Sequence, residues 1–244
     1  MKKFILLIFL SVIISGCTLI PQKNNKQTTD KTEDILNVNA DGSTKFNNNN
    51  LQVALDSVPN GSLSKEEEDG LLFMVEEEKL AQDVYGFLYQ KWNQQVFGNI
   101  GQSESTHVSA VKSLLEKYDI NLPTTLSNSG IFVNTDLQKL YNNLTQQGAN
   151  SLVDALKVGA AVEEIDILDL EKRLKQTDKA DIQLIYDNLM RGSRNHLRAF
   201  VRNMQNQGHD YQPQYLTNDT YSQIINSANE QGTDMQGGRR RQGN

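Results

Sequence analysis

Glu104 and His107 stand three residues apart in the string SESTHV. On a helix that spacing puts a carboxylate and an imidazole on one face, about one turn apart. On a buried face such a pair needs a partner, because buried ionisable groups are normally paired or bound to metal. The chain has only three histidines, so a second one at a similar inner-facing position, His196, matters. Glu78 and Glu163 fall on the apolar stripes of two further helical segments. Four segments thus each turn an ionisable group inward, five groups in all. Left uncompensated, such a cluster costs on the order of several kcal/mol per charge. A divalent or trivalent metal is the simplest neutraliser, and carboxylate and imidazole ligands suit Fe or Mn without excluding Zn. The alternative is that one helix is rotated from this reading and its acid is solvated.

The elements that must position these groups follow from the apolar period. A first long helix is predicted from Ser64 to Trp92, opened by SKEE as a capping box, with Leu71, Met74, Ala81, Tyr85 and Leu88 on one stripe around Glu78. A second runs from Val96 to Tyr118, with Ile100, Val111, Leu114 and Leu115 beside Glu104 and His107. Residues 119–149 form a long connection holding Pro123, the turn-like SNSG and a short helix near Asp136 to Gln147. A third helix, Ser151 to Leu174, carries Leu152, Leu156, Gly159, Ile167 and Leu170 with Glu163 and Asp166. The fourth, Asp178 to Gln205, groups Ile182, Ile185, Leu189, Ser193, His196 and Phe200. Short links join helices one to two and three to four, so each pair is an antiparallel hairpin. The long central link can run the length of a helix, as in a bundle with a single crossover. The segment from Tyr211 to Ala228 should pack back through its tyrosines, with a short helix beginning near Asn218. His209, in the polar string QNQGHDYQP, reads as solvent-exposed.

The rest of the chain is of another kind. MKKFILLIFLSVIISGCTLI has two lysines, an apolar run from Phe4 to Ile14 and small residues leading into Cys17, the only cysteine. The run is too short to span a bilayer and suits the core of an export signal. The small residues before Cys17 resemble a bacterial lipobox, which implies removal of residues 1–16, a lipid on Cys17, anchorage to a membrane and an extracytoplasmic location, at the cell surface or in the periplasm. Losing Lys2 and Lys3 takes the 24 basic side chains to 22 against 30 acidic ones, and the formal charge from −6 to −8. That balance argues against nucleic acid as a partner. With its thiol acylated the chain forms no disulfide, so its fold rests on packing or metal. Residues 17–62, rich in Asn, Lys, Thr and Asp, read as a lipid-anchored flexible tether, although LQVALDSVP at 51–59 could dock locally. Residues 63–229 form the helical domain and 230–244, with Arg239, Arg240 and Arg241, a disordered tail.

The strings EEEKLAQDVY, FGNIGQSESTHV, SLVDALKVGAAVEEIDILDLE and MRGSRNHLRAFV resemble the ferritin-like superfamily, and in particular the domain of unknown function 2202 family. The resemblance implies an all-α fold, a ferritin-like four-helix bundle with one long crossover between helices two and three, plus short accessory helices. It also implies a ligand set in which helix one gives a Glu, helix two a Glu-x-x-His, helix three a Glu and helix four a Glu-x-x-His. Glu78, Glu104, His107 and His196 match that pattern. Glu163 is the choice for helix three, with Glu164 as fallback. The chain departs at Ser193, where the pattern has its second bridging glutamate. Asp166 could supply the missing carboxylate, water could fill the gap in a looser dinuclear site, or one metal alone binds. Arg191 and Arg194 flank the serine, and an arginine reaching inward could neutralise the carboxylates without metal.

Two functions of different class follow. One is a metal-dependent oxidoreductase, in which a bound Fe or Mn centre, mono- or dinuclear, reacts with oxygen or peroxide. Tyr85 could lie close enough to such a centre to exchange electrons, but core packing with its hydroxyl satisfied is the favoured reading of it. No rubredoxin cysteine set, haem motif or flavin site is present, so an electron donor would have to be external. The other is a non-enzymatic surface protein, either a metal binder or an interaction module whose polar core is an arginine-carboxylate network.

Overall fold

A computed structural model describes residues 34–231 of the 244. The candidate export signal, Cys17 and the arginine run at 239–241 lie outside the described residues.

The described residues open with a two-stranded antiparallel hairpin, β1 (Leu36–Val38) and β2 (Thr44–Phe46), in which Leu36 pairs with Phe46 and Val38 with Thr44. A short helix, α1 (Asn48–Ser57), follows. Six more helices follow among the described residues: α2 (Lys65–Trp92), α3 (Gln95–Lys117), α4 (Thr135–Gly148), α5 (Leu152–Leu174), α6 (Ala180–Asn206) and α7 (Asn218–Ile225). Among the described residues, no helix is long and apolar enough to cross a membrane.

The ends of these helices are set by local chemistry. Ser64 and Glu67 form the expected capping box at the start of α2, each side chain accepting from the other's backbone N–H. Asn93, left-handed at φ 51°, stops that helix and turns the chain into α3 within two residues. Ser151 caps α5, and Thr217 caps α7. Hydroxyl and amide side chains are favoured at such positions because they satisfy N–H groups that the helix cannot.

α2 packs along α3 and α5 along α6, and the two pairs meet through α2 with α5 and α3 with α6. The crossover between α3 and α5 is tied to the outer surface of α2. Glu76 accepts from the backbone N–H of Val133 and Asn134 and from the Thr125 hydroxyl, and Asp83 accepts from the N–H of Gly130.

The apolar interior has two layers. One holds Leu80, Val84, Tyr85, Leu88, Phe97, Ile100, Phe200 and Met204. The other holds Leu71, Met74, Val75, Val111, Leu114, Leu115, Ile185 and Leu189. On α2, α3 and α6 the ionisable residues come between these layers in sequence, so the polar cluster occupies the level where the two meet.

The reading of residues 17–62 as a flexible tether needs correction from residue 34 onward. Ile35, Leu36, Phe46, Leu51 and Leu55 are buried and join the second layer. Enough apolar surface is present to repay ordering, but it is dispersed among polar residues. Residue 230 likewise departs from the reading of 230–244 as a disordered tail: Glu230 accepts from the guanidinium groups of Arg194 and Arg198, and its backbone N–H donates to Asn195.

Candidate metal centre

The string EEEKLAQDV on α2 distributes its acids by helical geometry. Glu76 points to the crossover. Glu77 is buried toward Asp169 on α5, where burial holds its carboxyl well above the usual carboxylate range. Glu78 points inward and is 1 % exposed. From the facing helices come Glu104 and His107 of α3, Glu163 of α5 and His196 of α6, all buried.

Two groups result, each able to hold a metal ion: Glu78, Glu104 and His107, and Glu104, Glu163 and His196, with ligand atoms in each group within 4.8 Å of one another. Glu104 belongs to both. Its Oε2 lies 2.8 Å from His107 Nδ1, and its Oε1 lies 2.9 Å from His196 Nδ1. Glu78 Oε2 stands 3.2 Å from His107 Nδ1, and Glu163 Oε2 stands 3.5 Å from His196 Nδ1. The arrangement repeats itself about Glu104, with one histidine and one outer glutamate on each side.

The donor atoms are poorly satisfied by one another. Glu78 Oε1, Glu104 Oε1 and His196 Nδ1 are buried without a well-directed hydrogen bond, although the last two are close. Short distances without hydrogen-bond alignment mean that the atoms converge on shared space, and buried polar groups normally find aligned partners. A hard or borderline cation accepting carboxylate oxygen and imidazole nitrogen fits this donor set.

Charge is balanced here by protons. Burial disfavours a charge on His107, but Glu104 and Glu78 override it and raise its pKa to about 10. At His196, burial is likewise outweighed by Glu104 and Glu163, and the pKa rises to about 9. Burial raises Glu78 and Glu163 to about 7 against the pull of their histidines. Burial also works to raise Glu104, but the two imidazolium groups win and hold it below the usual carboxylate range. Metal ligation requires these nitrogens and oxygens to be deprotonated, so ions and protons compete for the same atoms.

The backup candidates fall elsewhere. Glu164, buried on the other side of α5, accepts from the backbone N–H groups of Gln214, Tyr215 and Leu216, and so fastens the segment after α6 instead of facing the cluster. An adjacent helical residue is rotated about 100° from Glu163, too far to share its direction. Asp166 belongs to neither group. It hydrogen-bonds Ser193, while its Oδ1 is buried without a hydrogen bond. The serine and one oxygen of the aspartate pair with each other at the place where a further carboxylate was expected. Arg194 turns away to Glu230, so it does not neutralise the cluster. Tyr85 donates to Glu163 Oε1 at 2.5 Å and packs against Phe200. His209 is exposed, as its polar context implied.

Sequence reasoning missed Thr44. Its hydroxyl oxygen lies 2.9 Å from His107 Nε2 and 3.1 Å from His196 Nε2, on the side of each ring opposite Glu104. The rings stack with centroids 5.3 Å apart. Gly192 is needed for this approach, because a Cβ there would come within 2.6 Å of His107 Cε1. The sequence did carry a signal for the hairpin: ILNV and TKF flank a turn containing Asp41-Gly42, a strong short-range hairpin pattern. Gly42 adopts φ 97°, and a Cβ on it would meet the Asn195 carbonyl oxygen at 2.8 Å.

Comparison with known proteins finds one family whose model, described as an uncharacterized protein domain, DUF2202, matches residues 67–228. The uncharacterized protein MJ0754 of Methanocaldococcus jannaschii is 52 % identical over 178 residues, 73 % of this chain and 96 % of its own. The crystal structure of that hypothetical protein, from Methanococcus jannaschii, is similar with a TM-score of 0.69, covering 71 % of this chain and 99 % of the other.

Proposed function

The chain belongs to the DUF2202 family; from the geometry of its buried Glu and His residues and from its export-signal-like N-terminal sequence we propose that it is a ferritin-like four-helix bundle protein holding two metal ions, Fe or Mn, on the extracytoplasmic side of a membrane. One ion is held by Glu78, Glu104 and His107, the other by Glu104, Glu163 and His196. The observation that carries this reading is Glu104: its two oxygens face the Nδ1 atoms of two histidines from different helices at 2.8 and 2.9 Å. A carboxylate placed between two such nitrogens suits a bridge between two cations. The bundle reading is supported by the pairing of α2 with α3 and α5 with α6, joined by one long crossover.

A bound Fe or Mn pair would supply redox chemistry toward oxygen or peroxide. The protein's part would be to hold the ions, exclude bulk water and keep a proton on Tyr85, whose hydroxyl donates to Glu163 and whose burial, reinforced by Glu163 and Glu104, raises its pKa well above that of free tyrosine. Anchorage through a lipid on Cys17 rests on the lipobox-like residues before it. The electron donor would be a separate protein or small reductant.

A non-enzymatic role, metal capture or a structural centre, is favoured by one observation: every proposed ligand is at most 2 % exposed. Elemental analysis of the purified chain tests metal binding itself. Peroxide and oxygen consumption by the Fe- and Mn-loaded protein then separate the two roles, since a closed structural centre consumes neither.

A further inference from the structure

Thr44 reaches the metal centre from a segment outside the family-matched residues 67–228. It is 3 % exposed, and its position is fixed from several directions. Its backbone N–H donates to Ser103 Oγ at 2.8 Å, and two residues on the N–H of Phe46 donates to Thr106 Oγ1. Phe46 also sets its ring at right angles to His107. The preceding turn is held by Asn99 donating to Asp41 Oδ2 and by Arg202 donating to the Asp41 carbonyl. In SESTHV, therefore, Ser103 and Thr106 dock the hairpin while Glu104 and His107 face the cluster.

A hydroxyl oxygen can accept two hydrogen bonds but has only one proton to give. Two ring nitrogens within reach of it are both satisfied when each carries its own proton. Were either ring to hold its single proton on Nδ1, its Nε2 would need the one hydroxyl proton, and two such rings could not share it. At most one ring can therefore hold its single proton on Nδ1, and use of both Nδ1 atoms, the ones facing Glu104, as ligands requires the form in which both Nε2 atoms are protonated and the hydroxyl accepts from both.

We propose that Thr44 is a positioning residue for both metal sites, a single hydroxyl that fixes the ligating form of His107 and His196 together and makes the N-terminal hairpin part of the centre. This inference rests on the metal-binding reading above. Groups that orient a ligating histidine through its second nitrogen typically change metal affinity by ~10–100-fold when removed.

The test is Zn2+ titration of the full chain and its Thr44→Val and Thr44→Ser variants, with nitrogen-15 NMR of the imidazoles; exposed His209 is the internal reference. The wild-type and Thr44→Ser proteins should bind Zn2+ alike, with both buried rings protonated at Nε2 and those protons slow to exchange. Thr44→Val should bind ~10–100-fold more weakly, with faster Nε2 proton exchange. Equal affinity and unchanged ring spectra in a folded Thr44→Val protein would overturn the proposal. Should that variant not fold, Ser103→Ala, which keeps the hydroxyl but frees the backbone behind it, must weaken Zn2+ binding on its own, and unchanged binding there would overturn it too. Failure of the wild type to bind Zn2+, Mn2+ or Fe2+ contradicts the metal reading instead, so the two failures are distinct.

Discussion

Glu104 and His107, one turn apart on α3, meet at 2.8 Å through Oε2 and Nδ1, and the carboxylate's second oxygen is 2.9 Å from His196 Nδ1. The shared position makes Glu104 unlike the two outer glutamates. Glu104→Gln should remove both metal ions, whereas Glu78→Gln and Glu163→Gln should each remove one and leave the other. Metal-to-protein ratios of the three variants check this, and equal losses in all three would refute the shared role.

The metal-free protein should lose stability as pH rises from 6 to 9. His107 and His196 have folded pKa values of about 10 and about 9, above the ordinary 6.5, so their contribution is full below pH 6.5 and is lost as pH climbs through those values. Glu78 and Glu163, raised to about 7 from 4.5, act in the same direction between pH 4.5 and 7. Linkage fixes this sign, because the folded state binds more protons than the unfolded state throughout that window. Melting of chelator-treated protein at pH 6, 7.5 and 9 measures it. Metal-induced stabilisation should run the other way and increase with pH, because ions displace protons from the ligands.

Much of this was legible because the relevant signals are local. Ser64 with Glu67 marks a helix start, and Glu104 with His107 declares a shared face by spacing alone. The hairpin was not legible by the same route. Leu36 and Phe46 are buried in a layer shared with residues of α2, α3 and α6, elements distant in sequence, and the asparagine-rich stretch between Phe46 and Leu51 masked the Asp41-Gly42 turn. The fate of Glu164 was hidden for a related reason. Its partners are backbone N–H groups 50 residues along the chain, which no side-chain pattern announces.

Ser193 should prove dispensable for metal and costly for folding. Ser193→Ala removes the hydroxyl that pairs with Asp166, leaving a buried carboxyl group with less to satisfy it, at about 1–3 kcal/mol. Metal content should stay at the wild-type value, because neither residue belongs to either ligand group. Denaturant titration and elemental analysis of the same sample read both quantities.

Two glycine substitutions should act in opposite directions. Gly86→Ala, on α2 with open space around its Cβ, should stabilise the protein by up to about 1 kcal/mol through helix propensity. Gly192→Ala drives a methyl group into His107 and should destabilise by about 1–3 kcal/mol while weakening metal binding at the Glu78 side first. Thermal unfolding with and without Zn2+ distinguishes the two.

The most direct measurement is the metal content of the purified chain after exposure to Fe2+, Mn2+ and Zn2+, beside that of Glu104→Gln. The account predicts about two ions per wild-type chain, almost none in the variant, and a melting temperature raised by metal only in the wild type, as binding to the folded state alone requires. A wild-type protein that folds normally, retains no ion and melts at the same temperature with or without each metal would contradict it.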